Sequence, residues 1–572
     1  MWLLTNIYDK EFQLPLVKKS NLYKFYSNDN LHRISIHENK EWFYEGRIFV
    51  RGSDNVFIED LNKTKTNVLL DVCEENLIRK IKGNFTIVEI CNNEFKLFSD
   101  PFGIFKYFYW KDSDHFIISN SLKEISKHIK LKPSMINMAI YALTYHFIGG
   151  KTAFTNLYHN KPGEFIKLDK QGLLTIESYW KPEQLLKIPH DQIQITDITS
   201  KITQTIKSTL NSKHISLSLT GGMDTRNLLA IFLSLGVSPH LYTYGDPLSN
   251  DCRKASLIAK KLKLNHVIHN ININSTMFQD YAKRIIRISG GLASIHRAHR
   301  LMAIEKENDY ANVMYLGTLG GEYVRGASED DYIIPSIVYE NWNNSFFSEK
   351  YFEKYLCKKR LTINDDYRSI IINKLLSEPF FNGTLLERKH NAISYITAHL
   401  HDAQDINLYR SVMDEVYTPF LDIDYLELLF SSQYSFVNKE KINNFILRKI
   451  ENPLYGAQFL KATFPPLLNF RYSGEHIPKE ILLNKYIAAC LKKIRSMMNT
   501  RYPANFPLNS WMIDFVKKNL PICKEYGVIR TLFDIDKLMI DLYQKEHLSD
   551  EKYWLKFTNP TMMRFIIDEF GG

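Results

Sequence analysis

No stretch of this 572-residue chain approaches the ~18 consecutive apolar residues that crossing a bilayer requires. The best stretches, residues 228–237 and 138–150, are short, and His146 interrupts the second. The opening MWLLTNIYDKEF brings acids too early and too brief an apolar run for a secretory signal. Cysteine is scarce: six, at positions 73, 91, 252, 357, 490 and 523, with no CxxC and no histidine at metal-ligand spacing. A zinc module is thereby excluded, and reduced thiols in a cytoplasmic protein are expected. Long tracts of one charge are missing as well. The 73 basic and 63 acidic residues leave a net charge of +10 spread along the chain. That distribution predicts a solvated surface without a nucleic-acid face, and with no spanning run no membrane contact is expected. Two nucleotide-binding signatures, GxxxxGK[ST] and GxGxxG, are absent too.

What is present is the composition of a packed protein: 45% hydrophobic, 13% aromatic and 24% charged residues. The length suits two large domains or about three smaller ones. Residues 1–180 read as short strands. Phe85 and Ile87, then Phe95 and Leu97, alternate around Asn92-Asn93, a hairpin signal. Residues 162–180 alternate again around a turn at 170–172, and residues 121–129 and 135–147 read as helical patches. The polar segment 181–191 places a boundary near 185. After it, Ile195, Ile198, Ile202, Ile206 and Leu210 recur at helical spacing. Residues 214–219, 240–244 and 266–273 then read as strands separated by helices at 224–235 and around Ala255–Leu262. This βαβαβ succession predicts a parallel, doubly wound sheet. Beyond about 328 the chain is aromatic and helical.

The chemistry concentrates in HISLSLTGGMDTRNLLAIFL, residues 214–233. An apolar strand runs into Thr220-Gly221-Gly222-Met223-Asp224-Thr225 and directly out into an amphipathic helix. Glycines let a backbone approach an anion, and a helix N-terminus offers unpaired N–H groups at its positive dipole end. Thr220 and Thr225 add hydroxyls. An aspartate in a phosphate loop needs a cation, which makes Asp224 a candidate Mg²⁺ ligand. Read alone, the segment also fits a tight βα turn with Asp224 as a plain N-cap.

The loop resembles the SGGxDS pyrophosphate loop of the PP-loop ATP pyrophosphatases, with threonine for both serines. Within that superfamily the chain is similar to the asparagine synthetases. GNFTIVEI…FSDPFGIFKYFYW resembles the late part of their glutaminase domain, and PGEFIKLD…ESYW its closing stretch. Tyr242-Thr243-Tyr244-Gly245 resembles the adenine-side strand, and Glu415-Val416-Tyr417-Thr418-Pro419-Phe420-Leu421-Asp422 the EVRVPFLD motif. The resemblance implies a degenerate, Ntn-type α+β glutaminase-like β-sandwich over 1–185. It also implies an α/β PP-loop synthetase domain over 186–572 with a large helical C-terminal part. Nucleotide contacts are implied at Ser218, Thr220, Gly221, Gly222, Asp224, Thr225, Tyr244 and Gly317, and the cofactors implied are ATP and Mg²⁺.

The departures narrow the function. Trp2 stands where the family presents a cysteine nucleophile, so no glutaminase activity is expected. The second pyrophosphate-side motif reads Gly317-Thr318-Leu319-Gly320-Gly321-Glu322. Glu322 falls on the family's metal-binding aspartate, although an exposed loop acid would look the same. Leu319 falls on a glutamate used in ammonia-dependent amidation, and a leucine can neither orient ammonia nor accept a proton. Arg501 falls loosely on the family's late lysine, with Arg471 as a rival. His296, Arg297 and His299 come just before the second motif, where imidazoles could accept an amine proton, although an ordinary helix face reads the same way. The resemblance therefore implies AMP-forming, ATP-dependent amide ligation whose amine belongs to the substrate. It points first to lasso-peptide macrolactam synthetases, whose partners would be a precursor or leader-cleaved peptide, a leader peptidase and a leader-recognition protein. The alternatives are a ligase acting on a small molecule or sugar acid, resembling the β-lactam synthetases, and a catalytically inactive scaffold.

Overall fold

The computed structural model describes residues 1–8, 10, 12–28, 31–36, 40–51, 57–58, 80–188, 192–210, 214–326, 357, 359–436, 445–472, 475–498, 503, 508–544 and 551–571. The chain is a mixed α/β protein. Its first part holds two antiparallel six-stranded sheets. One runs Leu157–His159, Phe108–Lys111, Phe116–Ser119, Trp2–Thr5, Lys24–Ser27, Leu16–Lys19; the other runs Leu174–Ser178, Glu164–Leu168, Glu94–Ser99, Phe85–Cys91, Lys40–Gly46, His32–Ile36. Leu4, Phe25 and Tyr109 from the first pack against Phe43, Val88 and Leu97 from the second, which makes the pair a sandwich. Both expected hairpins form. Cys91 pairs with Glu94 across Asn92-Asn93, with Asn92 at φ +52°, and Leu168 pairs with Leu174 across a turn carrying Gly172 at φ +84°.

The segment read as a boundary is pinned rather than loose. Pro182–Lys187 forms a 3-10 turn with Leu185 buried, and the His390 ring bonds the Pro182 carbonyl at 2.9 Å. One continuous apolar cluster joins Leu3 and Phe108 to Leu217, Phe420 and Phe570, so the sandwich and the remainder share a core.

The second part is built on a five-stranded parallel sheet, ordered His266–His269, His240–Tyr244, Ile215–Ser218, Val313–Tyr315, Glu415–Tyr417. Its centre is buried on both faces, which explains why ISLS reads as an apolar run rather than an alternation. The third expected strand ends at His269, four residues early. Ile271 and Ile273 are buried in irregular chain that leads to Asn274, the N-cap of helix Ser275–Ser289. Apolar content there reports burial, not extended pairing. The strand order reverses at Ile215–Ser218: its sequence successors lie on one side, and strands from beyond residue 310 lie on the other. Open α/β sheets bind ligands at the carboxyl end of such a switch point.

Candidate functional site

Two loops leave the carboxyl ends of the strands flanking that switch point. Residues 219–223 follow Ile215–Ser218 and enter helix Asp224–Ser234; residues 316–321 follow Val313–Tyr315 and enter the short turn Glu322–Arg325. Glycines allow them to touch. A Cβ on Gly321 would come 3.0 Å from Asp224 Oδ1, and one on Gly317 would come 3.0 Å from the Thr225 nitrogen. A Cβ on Gly320 would strike the Phe420 ring at 2.8 Å, so the Pro419–Leu421 turn closes the same corner. Leu319 reaches its place in the left-handed region, at φ +65°, with its side chain 3% exposed. It is core, and presents nothing to a reactant.

The first loop is organised by its own hydroxyls. The Gly222 amide donates to Thr220 Oγ1 at 3.1 Å, the Thr220 amide donates to Thr225 Oγ1 at 3.3 Å, and the two hydroxyls lie 3.3 Å apart. Gly221 donates its amide to the carboxylate of Asp251, so a loop N–H already meets an anionic oxygen. Arg226, fully buried, ties the loop to a distant segment: it donates to the carbonyls of Gly221, Phe470 and Arg471 and lies 4.6 Å over the Tyr472 ring. Burial lowers its guanidinium to about 10.

Asp224 and Glu322 face each other across this corner. Asp224 Oδ1 is enclosed and has no hydrogen-bond partner. Burial pushes the Asp224 carboxyl up to about 7, the charge of Glu322 pushes the same way, and Arg325 opposes. Arg325 pairs with Glu322, whose side chain is mostly covered, so Glu322 is not a free surface acid. Among the described residues no group of three or more His, Cys, Asp or Glu side chains is arranged to hold a metal. Two acids with an orphaned oxygen still fit Mg²⁺, which takes one or two carboxylates and completes its octahedron with water and phosphate oxygens.

The structure also gathers residues that sequence reasoning passed over or read as ordinary. Arg297 and Arg300 both pair with Asp405. Asp402 ends the π-helical stretch Ala392–Asp402; burial holds its carboxyl well above the ordinary range, with Glu322 and then Asp405 adding to the effect. A 3.6-residue period cannot reveal a π-helix, so Asp402 carried no recognisable signal. His299 is buried and His296 half-buried. His296 bonds Thr558 at 2.8 Å and is lowered to about 4 by burial. Burial holds the His299 imidazole well below its ordinary range, and its ring lies 5.9 Å from that of Tyr244. Tyr244 and Ser218 end their strands toward the same site. Arg471 is half-exposed, its carbonyl fixed by Arg226 and its side chain 3.4 Å from Glu475. Arg501 lies outside the described residues. In the sandwich, Trp2 is buried mid-sheet, and its amide donates to Asn120.

No family model and no curated protein matches the chain. Solved structures give faint likenesses. One, "structure of the allosteric regulatory enzyme of purine biosynthesis", is 9% identical with TM-score 0.18 and covers 43% of this chain and 63% of its own. Another, glutamine phosphoribosylpyrophosphate (PRPP) amidotransferase from B. subtilis complexed with ADP and GMP, is 10% identical with TM-score 0.17 and covers 42% of this chain and 47% of its own. This chain thus spans less than two thirds of either protein, and scores this low leave function to be read from the site itself.

Proposed function

We propose that the protein is an AMP-forming, ATP-dependent amide ligase, with residues 1–185 a glutaminase-like domain without glutaminase activity and 186–572 a PP-loop synthetase domain. The observation that carries this reading is the Asp224–Glu322 pair: two acids brought together by glycines at a topological switch point, one with an enclosed, unpartnered oxygen. A structural acid would have been given donors.

In this reading the loop from Thr220 to Thr225 receives the pyrophosphate end of ATP on backbone N–H groups and hydroxyls. Asp224 and Glu322 hold Mg²⁺, which supplies charge neutralisation for the phosphates. A substrate carboxylate attacks the α-phosphorus, and pyrophosphate leaves. An amine then attacks the acyl carbon, forming the amide, and AMP leaves with the release of one proton. Arg501, or its rival Arg471, whose carbonyl is held beside the loop by Arg226, supports the leaving pyrophosphate as a bidentate cation. Buried Leu319 argues against free ammonia as the amine, so the amine is taken to be the substrate's own. Intramolecular attack gains from effective concentration. Macrolactam closure of a lasso-type ribosomal peptide is the preferred case, supported by the Gly320-Gly321-Glu322 form of the second motif and the Tyr244-Gly245-Asp246 turn, where Gly245 stands at φ +122°.

The test begins with calorimetric titration of ATP·Mg²⁺ into the protein and into Asp224→Ala. Binding lost in the variant is the expected result; equal binding in both would remove the metal assignment. Candidate peptides are then added, and AMP release is followed together with the loss of one water by mass. Glutamine should yield no glutamate, and its release would overturn the inactive-glutaminase reading.

A further inference from the structure

Arg226 is a buried cation without an acid. It sits fully buried on the helix Asp224–Ser234, where a charge is normally matched by a carboxylate. No carboxylate among the described residues pairs with it, and its partners are neutral. Nη1 donates to the Phe470 carbonyl at 2.8 Å. Nη2 donates to the Arg471 carbonyl at 2.8 Å and to the Gly221 carbonyl at 3.3 Å, and the Tyr472 ring lies 4.6 Å away. Nε has no partner. The surroundings are close-packed: a Cβ on Gly456 would strike both the loop residue Met223 and the Tyr472 hydroxyl.

The Gly221 carbonyl shows what such a cation can do. A trans peptide sends its C=O and the following N–H to opposite sides, and the described residues hold no cis peptide. With the Gly221 oxygen drawn onto Arg226, the Gly222 N–H faces the other way, where the Thr220 hydroxyl holds it at 3.1 Å. A cation on the carbonyl side also polarises the peptide and makes that N–H a stronger donor. The Gly221 N–H already meets an anionic oxygen, on Asp251 at 3.1 Å. On its far side the guanidinium holds residues 470 and 471, and Lys254 Nζ takes the next carbonyl, of Tyr472, at 2.7 Å. Three successive carbonyls therefore turn toward two cations. One cation comes from the loop helix and the other from Asn250–Leu262, whose Asp251 holds the loop.

We propose that Arg226 is a positioning residue whose missing counter-ion is the polyphosphate itself. It aims the Gly222 N–H at the anion, places a positive charge behind the loop, and locks residues 470–472 to the loop as one unit. This role rests on the phosphate-binding reading of the loop, and adds that affinity is set by a side chain that does not touch the ligand.

Mg²⁺ and inorganic pyrophosphate are titrated calorimetrically into the wild-type protein, Arg226→Lys and Arg226→Met. Lysine keeps the charge but lacks the planar fork that spans several carbonyls, and methionine keeps an apolar stem without the charge. Affinity should fall by about tenfold or more in Arg226→Lys and further in Arg226→Met, with an unchanged number of sites per folded chain. A residue that only supports the fold would give the opposite split, fewer competent sites at wild-type affinity, and that result overturns the proposal. Hydrogen exchange on the wild-type protein reads the coupling without any substitution. Pyrophosphate should slow exchange in residues 219–225 and 470–472 together, and protection confined to the loop overturns the shared unit. Wild-type protein that binds no pyrophosphate removes the phosphate loop and the proposed reaction with it, whereas wild-type binding that both variants retain in full overturns the role of Arg226 alone.

Discussion

Two buried acids serve the central strand Ile215–Ser218, and the fold treats them in opposite ways. Glu307 lies against Ser216 near the start of the strand, wholly buried, and accepts hydrogen bonds from Ser216, from His240 Nδ1 at 2.7 Å and from His269 Nε2 at 2.7 Å. Burial alone would raise its carboxyl, but the bonds from His240, His269 and Ser216 win and hold it below the ordinary range. Asp224, just past the other end of the strand, has an oxygen with no partner and a second carboxylate opposite. One acid is finished; the other is left open for something that arrives later. Burial is common to both, so the informative variable is whether a buried polar atom has been satisfied.

The contrast breaks most sharply under truncation. Asp224→Ala and Glu322→Ala should each lower AMP formation by at least about 1000-fold, as expected when a metal-holding group is lost. Neither should destabilise the fold, because each removes half of a repulsive pair; pyrophosphate release and thermal melting read the two quantities separately. Full activity in either variant would leave Asp224 as an ordinary first-turn acid of the helix that Met223 caps. Glu307→Ala should do the reverse. It strips three donors of their acceptor inside the sheet and should cost about 3–5 kcal/mol of stability, read by denaturant unfolding, with nucleotide affinity unchanged in whatever remains folded.

How far the sequence carried this picture depends on which physical signal each element uses. The two hairpins were legible because period-two alternation and turn residues are local. Strands Ile215–Ser218 and His240–Tyr244 and the helix starting at Asp224 were legible because burial on both faces gives unbroken apolar runs between polar turns. The meeting of residues 220–225 with 317–322 was reached only through the resemblance, since a contact across a hundred residues leaves no periodicity. Arg226 read as an ordinary helix position, and nothing local shows that it would be buried against the carbonyls of 470 and 471. Asp402 was hidden by a π-helical pitch.

A smaller effect tests the close approach of the two loops. Gly321→Ala places a methyl 3.0 Å from Asp224 Oδ1 and 3.5 Å from the Arg325 guanidinium carbon. The acid must shift by a few tenths of an ångström, at a cost of about 1–2 kcal/mol. Because the displaced atom is the open oxygen, ATP·Mg²⁺ affinity should fall by more than stability does. A variant that melts early but binds normally would mean that the glycine serves packing alone.

The finest test is the sign of the pH dependence, because the two acids should pull stability in opposite directions. Asp224 in the folded chain keeps its proton up to about pH 7, whereas in the unfolded chain it releases it near ~3.9. Between those values the folded state binds more protons, so stability falls as pH rises through the window and levels off above it. Glu307 is held below its ordinary value, so its contribution is complete above ~4.3 and is lost as pH falls through the folded value. Metal-free protein should therefore lose a few degrees of melting temperature, about 2 °C for a chain of this size, between about pH 4 and 7. Asp224→Asn should make that slope shallower, the remainder belonging to Asp402 and Asp100, whose carboxyls burial also raises, and leave the acid-side loss intact, while Glu307→Gln should reduce the acid-side loss and leave the slope. Mg²⁺ competes with the proton on Asp224, so added Mg²⁺ and nucleotide should raise the melting temperature more at pH 8 than at pH 6 in the wild-type protein, and equally at both in Asp224→Asn. A slope that Asp224→Asn leaves unchanged would assign the titration to other groups and leave Asp224 as ordinary as Glu307.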